Sequence, residues 1–476
     1  MRIIVILFII ALAACTVGPE YQRPERNAPE RFVSQEVLHH LNNDKKNQEI
    51  PSNWWVGFSD KQLDKLVRKG LADNFEIKSA AARAKQAKAS VKLADSGNAP
   101  TLSAGIDGGA TDRHSIRNSS DRNTNSVAAA LSAAVPLDLF GRTKRGVQSA
   151  NAHYENALAE LKGVVLGVSA DIVSEYLTLR GTQQQLELLK ESVALQEKTL
   201  SIVKSRLSSG IAPELDLQRA ITSVENLRAR IPPLEESLQN SRNMLATLTG
   251  NYPGVYESSL KDVDIIPSYR GLIPQVMPLD VLKTRPDVRQ AEADLKSAIA
   301  NIGVAEADFY PEFQLTGSIA FGLSNVTGAP TATTLISALG GVIDQFILDG
   351  GSRKAGLMIA KAKAEEKLAD YEHTLRRSVA EVEAVLTAID ASKKRQSALQ
   401  KSVASSQRSF SQAETLYQQG LISFLDVVDA QRVWADARQN LASEQTNHAV
   451  QVSSLFYVLG VEINHGKKTL KTIVKE

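Results

Sequence analysis

A chain of 476 residues carries one cysteine, Cys15, the only thiol available for acylation, metal binding or oxidation. One thiol cannot cross-link its own chain. Before it stand Met1, Arg2, ten apolar residues at 3–12 and two alanines. A charged start, a short apolar core and a small-residue stretch form a secretory leader, and ten apolar residues fall short of the ~20 that span a bilayer. Other groups have less to offer. His39 and His40 have Glu36 one helical turn upstream, but nothing nearby completes a metal ligand set. Asp349, Gly350 and Gly351 are only faintly like a phosphate loop, and no P-loop, G-x-G-x-x-G, H-E-x-x-H or G-x-S-x-G string occurs. Trp54, Trp55 and Phe58 are read as packing anchors rather than a ligand-stacking platform. No catalytic residue and no metal site is assigned, and the chain is read as not an enzyme.

LAAC at 12–15 resembles the lipobox of bacterial lipoproteins. That resemblance implies a signal peptide at 1–14, diacylglycerol on the Cys15 thiol and acylation of the freed amine. Several acyl chains together anchor a protein stably where one does not. Thr16 stands where an aspartate signals inner-membrane retention in enteric lipoproteins, so the outer membrane is favoured. The covalent lipid is the only non-protein group expected.

Hydrophobic residues make up 43% of the chain and charged residues 23%, with a formal net charge of +2, so no basic footprint for nucleic acid is present. Aromatics are scarce at 5%, and Ala, Leu, Gln, Glu, Lys, Arg and Ser dominate, a vocabulary suited to long slender helices. No second apolar stretch reaches transmembrane-helix length. A membrane crossing would therefore have to use strands.

Those helices and strands occur twice. RLSSGIAPELDLQRA at 206–220 aligns with LYQQGLISFLDVVDA at 416–430, matching Gly210 with Gly420, Leu215 with Leu425 and Asp216 with Asp426 at an offset of 210. The same offset pairs GRTKRG at 141–146 with GSRKAG at 351–356, and LTG at 248–250 with VLG at 458–460. Segments 74–100 and 285–311, both Ala-rich and ending in proline, run parallel at 211. The expected organisation is an N-terminal lipidated and equatorial segment at 15–73, a first repeat at 74–250, an equatorial linker at 251–284, a second repeat at 285–460 and a tail at 461–476. Internal duplication is common in transport proteins.

Each repeat reads helix, hairpin, very long helix, tight turn, helix. PEFQLTGSIAFG at 311–322 alternates apolar and small polar residues with the period of a strand, and TLSAGIDGGA at 101–110 is its counterpart. Second strands are expected at 126–138 and 334–348, closing hairpins over 101–138 and 312–348, with the polar or turn-rich runs 111–125 and 323–333 as loops. Proline-free stretches 142–209 and 352–419 predict helices of roughly 100 Å. Gly210 and Gly420 end them. Pro232 and Pro233 should break the first returning helix, a break that Ala442 and Ser443 would not impose on the second. Four strands cannot close a membrane barrel, since lipid tolerates no open sheet edge and about eight strands is the minimum. Two chains would give a filled eight-stranded barrel. Three would give twelve strands and a bore.

Taken together, CTVGPEY at 15–21 with Pro24, WWVGF at 54–58, PLDLFG at 136–141, RPDVRQAE at 285–292, FYP at 309–311 and GLISFLDVVDAQR at 420–432 resemble outer-membrane efflux factors of the TolC superfamily, in the NodT lipoprotein branch. The resemblance implies a mainly α protein with a membrane β-barrel: a homotrimer sharing twelve strands, a long periplasmic α-helical barrel and a mixed equatorial domain. It implies a passive exit duct for drugs or other small toxic compounds, metal ions among them, working with a periplasmic membrane-fusion adaptor and an inner-membrane resistance-nodulation-division transporter. Alternatives are a type I protein-secretion duct and a non-channel helical lipoprotein scaffold. In related factors the residues matching Leu425, Asp429 and Arg432 constrict the closed periplasmic end, and spacings of four and three do put these three on one helix face. Asp426, Asp216 and Arg219 complete the expected gate, with Asp426 in a ring of charge and Arg219 linked to Asp429 between hairpins. The turns at Gly210 and Gly420 are the expected adaptor-docking tips.

The mature chain is expected to begin at an acylated Cys15. Mass spectrometry of the N-terminal peptide checks this, and an unmodified N-terminus elsewhere would refute it.

Overall fold

A computed structural model describes residues 16–24, 29–34, 52–113, 122–261, 265–271, 273, 278–326 and 329–463. The leader, Cys15, Glu36, His39, His40 and the tail from 464 lie outside the described residues. In order, the elements are α1 (Lys61–Asp73), α2 (Phe75–Asp95), β1 (Thr101–Arg113), β2 (Arg122–Leu137), α3 (Arg142–Ser208), α4 (Glu214–Arg228), α5 (Ile231–Leu248), α6 (Pro278–Thr284), α7 (Pro286–Ala307), β3 (Glu312–Val326), β4 (Ala332–Asp344), α8 (Ser352–Gln418) and α9 (Phe424–Val458). The chain divides into two compact units. One comprises Met1–Glu25, Ala84–Ala157 and Gln290–Glu372, the other Arg26–Arg83, Leu158–Arg289 and His373–Glu476.

The first unit contains the sheet, whose strands pair antiparallel in the order β1-β2-β3-β4. Its strands enter the runs read as loops: Thr111 pairs with Thr124, Asp112 with Asn123 and Arg113 with Arg122, and β3 continues to Val326. Ladder hydrogen bonds join backbone to backbone, so polar side chains do not stop them. At the other end the second hairpin is shorter than 312–348. Pro311 has no N–H to extend the ladder beyond the Glu312–Asp344 pair, and Phe346, Ile347 and Leu348 leave it exposed.

Both long helices start on an aspartate. Asp138 accepts the Lys144 amide at 2.8 Å, and Asp349 accepts the amides of Gly351 and Arg353 at 3.0 Å each. The Arg353 guanidinium, 2.7 Å away, and these amides hold the Asp349 carboxyl at about 2. The stretch faintly like a phosphate loop thus turns its amides toward the chain's own carboxylate. Small residues bring α3 and α7 together, with Ser149 and Ser297 hydroxyls 2.9 Å apart, and Ala298, Ile302 and Ala364 form an apolar patch beside α8.

In the second unit, Trp54 and Trp55 are fully buried, and Trp54 stacks on Phe456 at 4.8 Å between centroids. They are packing anchors, as expected. α4 ends at Arg228 and α5 restarts at Ile231 with Pro232 and Pro233 in its first turn, whereas α9 is continuous. Prolines fit a first helical turn because its N–H groups lack partners anyway. Each repeat closes by docking its last helix on its first residue. Asn74 donates to the Leu248 carbonyl at 2.9 Å, and Arg285 donates to that of Val458 at 2.9 Å. Arg285 is 5% exposed and also binds Asp287 at 2.7 Å and Glu381 at 2.5 Å. Burial pushes the Asp287 carboxyl up, but the hydrogen bond and charge of Arg285 outweigh it and hold the group below its ordinary value.

Replacing Arg285 by Met leaves the Val458 carbonyl without this donor and leaves Asp287 and Glu381 with Arg377 as the cation beside them. We expect a loss of about 2–4 kcal/mol, read by denaturant unfolding, against about 1 kcal/mol for Asn74→Ala. Equal, small losses would show that the Arg285 network is not what closes the second repeat.

Candidate functional site

The strand register separates two faces. On one, the cross-strand rows read Ile106–Ala129–Phe321–Leu335, Ala104–Leu131–Ile319–Ser337 and Leu102–Ala133–Gly317–Leu339, followed by Val135–Leu315–Gly341 and Leu137–Phe313–Ile343. On the other they read Thr101–Ala134–Thr316–Gly340, Ser103–Ser132–Ser318–Ala338 and Asp107–Ala128–Gly322–Thr334. The first face is apolar and exposed, with Ile106 at 80% and Leu339 at 91%. From Phe313 to Leu323 it runs about 33 Å along the strand, which at the ~40° tilt of membrane barrels covers a ~25 Å hydrocarbon band. The second face is mainly small and polar, with Ile336 and Val342 as its exposed large apolar residues. β1 and β4 form the two outer edges and are exposed along their whole length.

The segment just after Cys15 is fastened to this unit by a residue that the sequence reading did not single out. The Arg145 side chain is 2% exposed and donates to the carbonyls of Val17 at 3.0 Å and Gly18 at 2.7 Å, with Glu20 at 3.2 Å. The Val17 amide donates to the Phe140 carbonyl at 3.1 Å, and Lys144 reaches the Thr16 hydroxyl at 3.1 Å. Gly18, at φ +86°, lies so close to Gly303 that a Cβ would stand 2.4 Å from its Cα. The available signal was an asymmetry between the repeats: Arg145 aligns with Ala355, so only one repeat carries the clamp.

In the second unit, the helix turns at Gly210 and Gly420 have φ of +70° and +78°. Ile211 donates to the Arg206 carbonyl and Leu421 to that of Leu416, each at 2.9 Å, which closes both turns in the same way. Beside them Val203, Ala220, Phe410, Ala413, Tyr417, Phe424 and Val427 form a small apolar cluster. Arg206 seals it, donating to the Tyr417 carbonyl at 3.1 Å with its guanidinium 4.5 Å over that ring. Leu215 and Leu425 are outside the cluster, 56% and 55% exposed, and Ile211 and Leu421 are exposed at the turns.

The expected gate charges occupy this region but pair along their own helices. Asp429 binds Arg432 at 2.7 Å, Arg432 also approaches Asp436 at 3.7 Å, and Arg219 lies 3.9 Å from Asp216. Within one chain Arg219 is therefore engaged with Asp216, where a link to Asp429 was expected. Asp426 has a local role as well. Its carboxylate accepts the Ser423 amide at 3.0 Å and the Ser423 hydroxyl at 2.7 Å, forming the capping box of α9. Ser-x-x-Asp before an apolar run was a legible signal for that role.

A family model described as "Outer membrane efflux protein" matches residues 66–251 and 277–461. Nodulation protein T of Rhizobium leguminosarum bv. trifolii is 30% identical over 462 residues, 96% of either chain. The cation efflux system protein CusC of Escherichia coli K12 is 28% identical over 454 residues, 95% of this chain and 97% of its own. Among solved structures, the outer-membrane channel OprN superposes with a TM-score of 0.85 at 27% identity, covering 94% of this chain and 99% of that one.

The two faces of the sheet are expected to respond oppositely to the same charge. Ile319→Lys should cost about 2–4 kcal/mol and abolish the heat-modifiable assembled form on gels, while its neighbour Ser318→Lys should leave it intact. Equal tolerance of both would overturn the assignment of faces.

Proposed function

The chain belongs to the outer membrane efflux protein family, and from that premise we propose that it is the outer-membrane exit duct of a tripartite pump. The observation that carries this reading is the four-stranded sheet with one exposed apolar face, one mainly small and polar face and two free edges. Backbone N–H and C=O groups on a free edge cannot face hydrocarbon, so β1 must pair with β4 of another copy until the ring closes. Three copies give twelve strands, with the apolar rows toward lipid and the Ser, Thr, Gly and Ala rows lining a bore. Below the membrane the long helices of three chains form the periplasmic barrel. Nothing in this design spends energy. The inner-membrane transporter and its periplasmic adaptor supply drive and cargo, and the duct passes solutes down their gradient.

Cys15 carries the lipid, and the Arg145 clamp sets where the mature chain enters the fold. The relatives are named for nodulation and for cation efflux, and the cargo of this chain is taken to be small toxic solutes. Susceptibility profiling of a deletion strain across drugs and metal salts identifies the class. A purified trimer in planar bilayers should conduct; one that never conducts, even with its tip opened by mutation, sinks the duct.

Tip closure is assigned to Leu425, Asp429 and Arg432, repeated three times around the axis, with Leu215, Asp216 and Arg219 facing them from the other hairpin. Gly210 and Gly420 form the blunt turns that meet the adaptor. Each exposed charge pair contributes under about 1 kcal/mol, but three copies act together. Asp429→Ala combined with Arg432→Ala should raise resting conductance several-fold without lowering expression, read by single-channel recording. Unchanged conductance in an intact trimer would move the gate elsewhere.

A further inference from the structure

Among the buried polar groups of the second unit, three point to a ligand of their own. Gln431 is 4% exposed, and neither its amide nitrogen nor its carbonyl oxygen has a hydrogen-bond partner among the described residues. Because both atoms are unpaired, the finding does not depend on which way the amide is turned. Gln196, 2% exposed, has an unpartnered Nε2, and so does the indole Nε1 of Trp434.

The helix register brings the three together. α3 and α9 run antiparallel, fixed at one end by Val203 and Val427 in the tip cluster and at the other by the Glu191–Arg438 ion pair. Gln196 stands seven residues before Val203 on the same stripe of α3, and Gln431 and Trp434 stand four and seven residues after Val427 on the same stripe of α9. Gln196 and Trp434 therefore fall at one level of the seam, just above the tip cluster, and Gln431 lies about one helical turn nearer the tip. Trp434 closes a side of that level, stacked on Phe410 at 5.4 Å between centroids and covered by the Arg438 guanidinium at 4.9 Å. The charged groups around it, Asp436 with Arg230 at 3.7 Å and Arg432 at 3.7 Å, are paired with one another and do not reach in.

We propose that Gln196, Gln431 and Trp434 form a site for ordered water inside the α3–α9 seam, a polar layer that separates the tip cluster from the rest of the helical core. The donor count fits. Two amide NH2 groups, one indole N–H and one carbonyl line the layer, five donor hydrogens in all, and a water accepts two hydrogen bonds and donates two, so three waters satisfy every group. No charged or larger ligand is required. A polar layer in an otherwise apolar seam holds the register, because a shift of one turn would strand its donors against apolar neighbours, and it weakens the seam locally. The tip cluster then moves as a unit on a wet hinge. This inference stands apart from the identity of the cargo and from the assignment of the gate charges.

The test compares the wild-type trimer in lipid nanodiscs with Gln196→Met/Gln431→Met, which keeps side-chain length and removes the polar ends. Backbone hydrogen exchange over 424–436 should slow about tenfold in the variant, and radiolytic hydroxyl labelling of Trp434, strong wherever bound water touches the ring, should fall several-fold. Should the double variant fail to assemble, Gln431→Met alone is read in the same way. Exchange that is unchanged or faster in an intact trimer overturns the proposal. So does a density map in which the Gln431 amide is bonded directly to a neighbouring subunit.

Discussion

An unpaired backbone amide or carbonyl cannot be left in hydrocarbon, and the rest of this molecule is arranged around that constraint. Among the described residues, one chain presents two strand edges and an apolar face that none of them covers. The edges force pairing with further copies, and the apolar face forces that pairing to occur in a membrane. The opposite face carries mainly Ser, Thr, Ala and Gly where a soluble sheet would carry bulky core residues, which leaves room for a bore. A sheet of this kind is unstable as a monomer for the same reason that it is useful as a third of a barrel.

The helical part meets a different difficulty, since its long helices are rich in Ala, Ser, Gln and Lys and α3 buries its bulky apolar residues mainly between Leu161 and Leu179. Close approach substitutes for bulk: Ser149 meets Ser297, and Gly181 admits Thr446, whose hydroxyl would lie 2.1 Å from a Cβ there. One group of large aromatics gathers around Trp54, Tyr269 and Phe456, where many segments of the second unit meet, and a smaller one lies at the tip. Turns are closed by glycine at positive φ and by internal hydrogen bonds, so the helix ends need no help from neighbours. The two repeats diverged at their joints, one using a neutral Asn74 and the other the charged Arg285 network, so the second joint is the more sensitive to loss of a single side chain.

At the tip the interactions are individually weak, which suits a part that must move. Asp426 caps its own helix, Arg432 and Asp429 pair along theirs, and the apolar cluster is small. None of these contacts locks one hairpin to the other with the strength of the Trp54 core. On the proposed reading, a closure assembled from threefold repetition of such weak links would be released by a partner that contributes only modest binding energy.

The sequence by itself determined the elements and their order, because the 210-residue repeat, strand alternation, proline-free helical runs and turn glycines are local signals of period and backbone conformation. Lipidation and the family resemblance were read from short strings for the same reason. Strand ends were legible only to within a few residues, since ladder pairing continues through polar side chains and stops where Pro311 removes a donor. Which side chains meet across the chain was decided by tertiary structure alone. Arg145 gripping residues 17–20 and Arg285 holding the Val458 carbonyl depend on how separate segments pack, which sequence spacing does not encode, whereas the Asp216–Arg219 pair and the Asp426 cap are local to their own helices. The buried glutamines are the sharpest case: in the sequence Gln196 and Gln431 are ordinary polar helix residues, and only the antiparallel register brings their levels to within about one helical turn of each other.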